Sequence, residues 1–315
     1  MDDVETPIPT GDQVLVRVHA SSINRADLDG LYPRWQFTRA FTGLRRPRSR
    51  RIGLDVAGTV ETVGPEVTTL RPGDRVFGDL SAFGEGAFAE LACAPERAFA
   101  PMPAGLTFPE AATLPNAGIL AIQGLRRRDG RTFEPGARVL VEGASGSTGT
   151  FAVQIAKSMG AHVTGIAHSD NVEFVRSLGA DEVVDYRSLD YTRAPQRYDW
   201  IFAADAHHGI LASSRVLAPG GTFAALGAST AWMLRSLVVT PAVGLARRRR
   251  VGLFLWWKPF HPPDVERLRR LVESGAVRPP IDRTYSFDDV VEALRYVDTG
   301  HPRGKVVLTI GSPAS

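Results

Sequence analysis

The stretch Gly143-Ala144-Ser145-Gly146-Ser147-Thr148-Gly149 decides the fold that this sequence predicts. It follows Arg138-Val139-Leu140-Val141-Glu142, and such a short run of valine and leucine predicts a buried parallel strand. Without a Cβ at Gly146 a pyrophosphate can approach the main chain, and Gly149 lets the next helix pack closely on the strand. The N–H groups of the first helical turn attract phosphate. An ordinary strand–loop–helix turn also uses glycine, but the flanking strand and helix favour a dinucleotide site formed by the whole stretch.

The residues after this turn predict strands and helices in alternation. We expect further strands at 162–167, 182–185, 199–203, 222–226 and 251–257, and a helix at 172–178. Strands that alternate with helical segments at this spacing indicate a doubly wound parallel sheet of the α/β class.

The chain before about residue 116 has a different pattern. Short β-like runs at 13–20, 53–64, 75–77 and 86–91 are separated by glycine and proline turns. Such a pattern indicates a partly open β-barrel. Helices predicted at 263–274 and 287–297 lead to a last strand at 305–310, which returns to this barrel. The predicted domains are therefore 1–116 with 259–315, and 117–258, with the chemistry expected in a cleft between them.

Length and composition set limits on the function. A chain of 315 residues is long for one core, and 43% hydrophobic and 23% charged residues are typical of a globular protein. The net charge of +3 is too small to indicate nucleic acid. No signal-like segment or membrane-length apolar run is present, and Cys93 is the single cysteine. We therefore expect a cytoplasmic protein with no disulfide and no membrane partner.

Several motifs in a fixed order are similar to a known family. They are 21–27 (Ser-Ser-Ile-Asn-Arg-Ala-Asp), 53–58 (Gly-Leu-Asp-Val-Ala-Gly), 72–76 (Pro-Gly-Asp-Arg-Val), 111–115 (Ala-Ala-Thr-Leu-Pro), the glycine stretch and 178–181 (Leu-Gly-Ala-Asp). The chain resembles the medium-chain dehydrogenase/reductase superfamily, in its zinc-free quinone oxidoreductase and enoyl reductase branch. The resemblance implies a Rossmann domain inserted into a GroES-like barrel domain, and reduction of quinones, enones or enoyl thioesters.

Metal is not expected at the active site. Zinc-containing members of the family place a cysteine where this chain has Asn24, and a His-Glu pair where it has Leu54-Asp55. Catalytic zinc needs three converging ligands. The adjacent His207 and His208 point about 100° apart on a helix, so we interpret them as the polar start of a helix rather than a metal clamp. Without a Lewis acid, reduction of an activated C=C bond is more accessible than alcohol–ketone interconversion.

Two residues are candidates for the catalytic role. Asn24 resembles the asparagine that relatives use near the cofactor ribose and the substrate, and Tyr32 resembles an aromatic residue at the substrate entrance. The alternatives are a helix cap for Asn24 and a packed loop aromatic for Tyr32. Leu120 stands where relatives often carry threonine against the nicotinamide, which leaves a non-catalytic nucleotide-binding protein open.

The predicted cofactor is NADP, with use of NAD left open. An NAD site has an acidic residue about 20 positions past the glycines, and that count from Gly146 reaches the apolar Ile166. Relatives that use NADP surround the 2′-phosphate with serine, lysine and tyrosine. The matching positions here are His168, Ser169, Asn171 and Tyr186. Asp170 repels phosphate if it points inward, and the alternative is a solvated residue in the first turn of the helix.

Two arginine-rich runs, 45–51 and 247–250, do not predict nucleic-acid binding, because a binding surface needs one basic stripe with stacking aromatics. We expect the first run to rim the cleft and to favour an acidic substrate or carrier. The second run precedes the strand at 251–257, which in relatives pairs across a dimer. Pairing protects an exposed edge, so a homodimer is predicted rather than a membrane anchor.

The sequence thus leads to three hypotheses. The first is an NADPH-dependent reductase of quinones or α,β-unsaturated carbonyls that acts on a small molecule without metal. The second is a zinc-free ketone or alcohol oxidoreductase, or a tailoring enzyme of specialised metabolism. The third is a nucleotide-binding protein without turnover.

Overall fold

The computed structural model describes residues 4–31, 51–84, 86–226, 250–253 and 257–311. Tyr32, most of the arginine-rich run 45–51, residues 247–249 and residues 254–256 lie outside the described residues. The chain forms two compact units, the first from 1–119, 259–273 and 279–315, and the second from 120–258 and 274–278.

Strands and helices follow one another along the chain as the glycine and proline turns predict. The strands are β1 (Gln13–Ile23), β2 (Asp55–Val63), β3 (Arg75–Asp79), β4 (Leu91–Pro95), β5 (Phe99–Pro101), β6 (Arg138–Glu142), β7 (His162–Ala167), β8 (Glu182–Asp185), β9 (Tyr198–Ala203), β10 (Leu217–Ala225), β11 (Arg250–Leu253), β12 (Ile281–Ser286) and β13 (Lys305–Thr309). The α-helices are α1 (Arg25–Leu31), α2 (Phe108–Ala112), α3 (Pro115–Gly124), α4 (Ser147–Ser158), α5 (Val172–Ser177), α6 (Ile210–Ser213), α7 (Pro262–Glu273) and α8 (Val290–Asp298).

The first unit contains a seven-stranded sheet in the order β12-β13-β1-β2-β3-β5, with β4 also paired to β1. Strand β1 is central, since it is antiparallel to β2, β4 and β13. Residues 13–17 of β1 pair with β4, and residues 20–23 pair with β13. Its valines, Val14, Val16 and Val18, are buried in the core of this unit, where branched side chains suit a pleated surface.

The strand predicted at 86–91 is wrong in position. The ladder with β1 begins only at Leu91, and residues 86–90 form a loop. Gly86 has a φ of +119°, which a strand does not allow, and its amide donates to the carbonyl oxygen of Gly53 over 3.0 Å. Gly86 therefore belongs to a loop, and the strand begins after this loop at Leu91.

The second unit is built on a six-stranded sheet in the order β11-β10-β9-β6-β7-β8, in which every pairing is parallel. Val139, Leu140 and Val141 in the middle of β6 are fully buried, as expected for a strand with both faces covered. The strand order reverses between β6 and β9, and ligands of such sheets bind outside the carboxyl ends of the strands at that point. The predicted doubly wound fold is confirmed. Within the part of the chain described here, no helix has the length and apolarity needed to cross a bilayer.

Candidate functional site

The glycine stretch lies at the carboxyl end of β6, where the strand order reverses. Gly143 has a φ of +74°, a left-handed conformation that favours glycine. Helix α4 begins at Ser147, and a Cβ on Gly149 would overlap the carbonyl oxygen of Gly143. Gly149 is therefore required for the close approach of helix and strand.

Gly146, which precedes the first residue of α4, leaves open space in front of the turn. A Cβ built there meets only the carbonyl oxygen of Gly143, at 3.4 Å. The first amides of a helix have no acceptor within it, and they carry the positive end of the helix dipole. The 12-residue helix α4 with this open cradle suits the pyrophosphate of a dinucleotide.

The residues predicted around the 2′-phosphate lie together at the carboxyl ends of β7 and β8. His168 follows β7, and its Nδ1 accepts a hydrogen bond from the amide of Asp170 over 3.2 Å. The ring of Tyr186 packs edge-on against the His168 ring with centroids 6.0 Å apart. Asn171 Nδ2 donates to Ser145 Oγ over 3.2 Å, which joins this group to the glycine turn. The Asp170 carboxylate is 73% exposed.

In the first unit, Asn24 lies between β1 and α1 and is almost fully buried. Its side-chain bonds do not cap α1. Asn24 Nδ2 donates to Asp55 Oδ2 over 2.9 Å and, over a long 3.4 Å, to the carbonyl oxygen of Ser22. Its Oδ1 accepts from Lys305 Nζ over 2.6 Å. The carboxamide is thus held in one orientation from three sides.

Lys305 and Asp55 form an ion pair with no exposed surface on either side chain, Nζ to Oδ2 3.1 Å. Asp55 also accepts from Ser22 Oγ over 2.7 Å and from the amide of Asn116 over 2.9 Å. A buried charge is tolerated only when it is paired and hydrogen-bonded, and this pair meets both conditions. Sequence reasoning missed Lys305. The available signal was a lysine at the start of the apolar strand β13.

Asp79 on β3 is a second buried carboxyl beside this pair. Burial, with a further contribution from the negative charge of Asp55, raises the pKa of Asp79 to about 6. The amide of Ser81 donates to Asp79 Oδ1 over 2.8 Å. This carboxyl is therefore able to hold or release a proton close to neutral pH.

Comparisons with known proteins agree with this geometry. A family model described as "Alcohol dehydrogenase GroES-like domain" matches residues 10–104, and one described as "Zinc-binding dehydrogenase" matches residues 178–308. The human mitochondrial NAD(P)H oxidoreductase RTN4IP1 (Homo sapiens) is 30% identical over 95% of this chain and 82% of its own length. The trans-enoyl reductase pgmF of Aspergillus terreus is 31% identical over 96% of this chain and 90% of its own. The structure of the quinone oxidoreductase from Coxiella burnetii superimposes with a TM-score of 0.85 at 28% identity, covering 98% of this chain and 94% of that one.

The chain belongs to the medium-chain dehydrogenase/reductase superfamily. Within it, the relatives place the chain in the quinone oxidoreductase and enoyl reductase branch. As a medium-chain reductase the protein is an oxidoreductase that uses a nicotinamide dinucleotide. The predicted family and the predicted fold are both confirmed.

The positions that hold zinc in other medium-chain dehydrogenases do not fit a metal here. They carry Asn24, the buried Leu54 and Asp55, and the ammonium of Lys305 lies 3.1 Å from the Asp55 carboxylate. Two of the three side chains lack a suitable donor, and the third already neutralises a cation. Across the residues that the structure describes, no cluster of three or more histidine, cysteine or acidic side chains could hold a metal ion.

The interpretation of His207 and His208 as the start of a helix needs correction. Both lie in the turn that follows β9, and α6 starts only at Ile210 with Gly209 as its N-terminal cap. Their ring nitrogens contact carboxylates instead, His207 Nε2 with Asp205 at 3.1 Å and His208 Nδ1 with Glu142 at 3.2 Å.

Proposed function

We propose that this protein transfers hydride from NADPH to a small quinone or α,β-unsaturated carbonyl compound without a metal ion. The buried Lys305–Asp55 pair carries the proposal, because it neutralises the one carboxylate left at the family's zinc positions. Reduction of a carbonyl normally relies on a Lewis acid to polarise the oxygen. Reduction of an activated C=C bond needs a hydride, a hydrogen-bond donor and a proton.

The preference for NADPH is supported by the group beside the glycine turn. His168, Ser169 and Tyr186 offer ring and hydroxyl groups, and Asn171 is tied to Ser145. Ile166, the position of the acidic residue in NAD sites, is buried and apolar. The glycine turn would hold the pyrophosphate, and the residues around His168 the 2′-phosphate.

Asn24 is the proposed hydrogen-bond donor to the substrate oxygen. A bound nicotinamide would supply the hydride for the β-carbon of the substrate, and the substrate carbonyl oxygen would then need a donor for the negative charge that it gains. The amide hydrogen that reaches Ser22 over 3.4 Å is the one available to this oxygen without rotation of the carboxamide, since its present bond is weak. The Lys305 ammonium on Oδ1 polarises the carboxamide and strengthens this donor. Tyr32 remains a second proposed substrate contact.

The experiment measures NADPH oxidation with a panel of enones, quinones and ketones. We expect turnover with enones or quinones and little with simple ketones. Asn24→Ala should lower kcat about 100-fold to 1000-fold, because one lost oxyanion donor costs about 2.7–4 kcal/mol. The affinity for NADPH should change only a few-fold.

Ser21→Ala is the matched control. Ser21 is equally buried, and its hydroxyl donates to the backbone oxygen of Asp55 over 2.5 Å, without contact to the Asn24 carboxamide. The control should lose about 1 kcal/mol of stability and keep its turnover per folded molecule. Equal losses of kcat in the two variants would remove Asn24 from the mechanism. Turnover with ketones alone would refute the proposed substrate class.

We also propose that the protein works in the cytoplasm. Cys93 is the single cysteine and a free thiol, so the chain forms no internal disulfide, which suits a reducing compartment. Fractionation of cells that produce the protein from its own gene tests this location.

A further inference from the structure

Glu142, the last residue of β6, is a buried carboxylate directly before the glycine turn. Only 3% of its side chain is exposed. Tyr191 Oη donates to its Oε2 over 3.1 Å, and the amide of His207 donates to its Oε1 over 3.3 Å. The ring of His208 reaches the same Oε1 at 3.2 Å. The proposed reaction uses none of these groups.

Both ring nitrogens of His208 face carboxylates. Nδ1 lies 3.2 Å from Glu142 Oε1, and Nε2 lies 3.4 Å from Asp190 Oδ1. A neutral imidazole has one N–H and one lone pair, so it donates to one carboxylate and turns its lone pair to the other. Only the imidazolium satisfies both contacts.

The charges around His208 favour this protonated form. The hydrogen bond to Glu142 raises the pKa of His208 above its usual value, and Asp190 adds to the effect, while burial and His207 oppose it. The Tyr191 ring packs edge-on against the imidazole with centroids 4.9 Å apart. His207 itself pairs with Asp205, and this hydrogen bond raises the pKa of His207. The charges that act on His208 thus come from Glu142 on β6, His207 in the turn and Asp190, and Arg193 Nε competes for Asp190 at 3.5 Å from its Oδ2.

The turn that carries His208 packs on the first glycine of the dinucleotide site. The amide of Ala204 donates to the backbone oxygen of Glu142 over 3.1 Å. A Cβ built on Gly143 would lie 3.3 Å from Asp205 Cβ and 3.4 Å from the Asp205 amide. A shift of the 204–209 turn therefore changes the surroundings of Gly143 directly.

We propose that His208, as an imidazolium, is a positioning residue that fixes the 204–209 turn against the glycine turn and makes dinucleotide affinity depend on pH. This inference rests on the proposed cofactor site. Affinity is highest where His208 is protonated and falls as the pH rises through its pKa in the folded protein, which lies above the usual value. Loss of the proton breaks one of the two carboxylate contacts, and the turn loosens.

The test is the NADPH dissociation constant of the full chain from about pH 5.5 to about pH 8.5, for the wild type, His208→Gln and Asp190→Asn. The quantity compared is the ratio of wild-type to variant affinity, because titration of the cofactor phosphate cancels in it. We expect His208→Gln to bind about tenfold more weakly than the wild type at low pH, equal to about 1.4 kcal/mol, and about equally at high pH. In Asp190→Asn, the midpoint of the curve of NADPH affinity against pH should lie at lower pH than in the wild type. This second variant tests the proposal if His208→Gln fails to fold.

His207→Gln is the matched control, since the His207 side chain is 71% exposed and its ring pairs with the exposed Asp205. It should keep the pH-dependent loss of affinity, with the midpoint moved only slightly and to higher pH, because the charge of His207 opposes protonation of His208. A wild-type protein that fails to bind NADPH or NADH at any pH would refute the cofactor site itself. If the wild type binds NADPH and the ratio of its affinity to that of His208→Gln is constant across the pH range, the role of His208 is overturned. The cofactor site is then left intact. An unchanged midpoint in Asp190→Asn would overturn it as well.

Discussion

Replacing Lys305 by methionine tests how much the buried Lys305–Asp55 ion pair stabilises the first unit. Methionine has a similar length and no charge, so Lys305→Met fills the same space and leaves the Asp55 carboxylate buried without its cation. The three remaining hydrogen bonds to Asp55 come from Ser22, Asn24 and Asn116. These donors stabilise a carboxylate, but none of them carries a charge, and Asp79 nearby adds repulsion when it ionises.

The expected cost follows from the complete burial of both partners. Removing one member of a buried ion pair costs about 3–5 kcal/mol, most of it the penalty of an uncompensated charge. Each kcal/mol lowers the Tm of a domain of this size by about 2–4 °C.

Differential scanning calorimetry of the full chain measures this loss, with Lys157→Met as the control. Lys157 and Asp181 pair at 2.8 Å, but 34% and 30% of their side chains are exposed, so this pair should be worth only about 0–1 kcal/mol. The double variant Lys305→Met/Asp55→Asn should regain more than half of the lost stability. A loss below about 1 kcal/mol, or a double variant as unstable as the single one, would refute the reasoning.

Three further outcomes follow from the structure. The stability of Asp79→Asn relative to the wild type should increase from acid to neutral pH. The pKa of Asp79 in the folded protein is about 6, above the ordinary value of 3.8. The stability that protonated Asp79 contributes to the wild type is therefore complete below the ordinary value and is lost as the pH rises through 6, a change of about 3 kcal/mol. Denaturant melts at several pH values measure it, and parallel curves for the two proteins would contradict it. Purified protein should contain no stoichiometric zinc, and chelators should leave activity unchanged; elemental analysis that finds about one zinc per chain contradicts the metal-free proposal. Light scattering should give about twice the monomer mass of 34.1 kDa, because β11 is the last strand at one edge of its sheet among the described residues, and we propose that the strand that contains β11 pairs with a second copy.

The sequence predicted the fold well because local patterns determine it. The apolar run of β6 and the glycines after it specify a strand, a turn and a helix within a dozen residues, and the structure follows this order. The strand predicted at 86–91 is wrong because alternating small and apolar residues resemble a strand. The loop forms because its backbone amides donate to the carbonyl oxygen of Gly53, which lies far away in the sequence.

Sequence patterns indicate which residues of the candidate site lie together mainly where these residues are close in the chain. The glycine turn and the group from His168 to Asn171 each lie within one short segment, and the structure joins them through Asn171 and Ser145. Lys305 lies 281 residues from Asn24, so no spacing rule connects the two. The contact of Glu142 with His208 crosses 66 residues and depends on β6 and β9 being neighbours in the sheet. Long-range pairing of charges is set by topology, which local periodicity does not reveal.

The position of β13 has a consequence for how the chain is made. Its residues are the partners of the second half of β1, and it carries the lysine that neutralises Asp55 from 250 positions away. At about 5–20 residues per second, a ribosome needs about 12–50 s to add that length of chain. During this time the emerging β1 has an open edge and Asp55 has no cation, and the whole segment 120–258 is synthesised before Lys305. The nucleotide-binding unit is therefore free to fold first, and a product that stops short of Lys305 keeps an incomplete sheet that quality control in the cell can recognise.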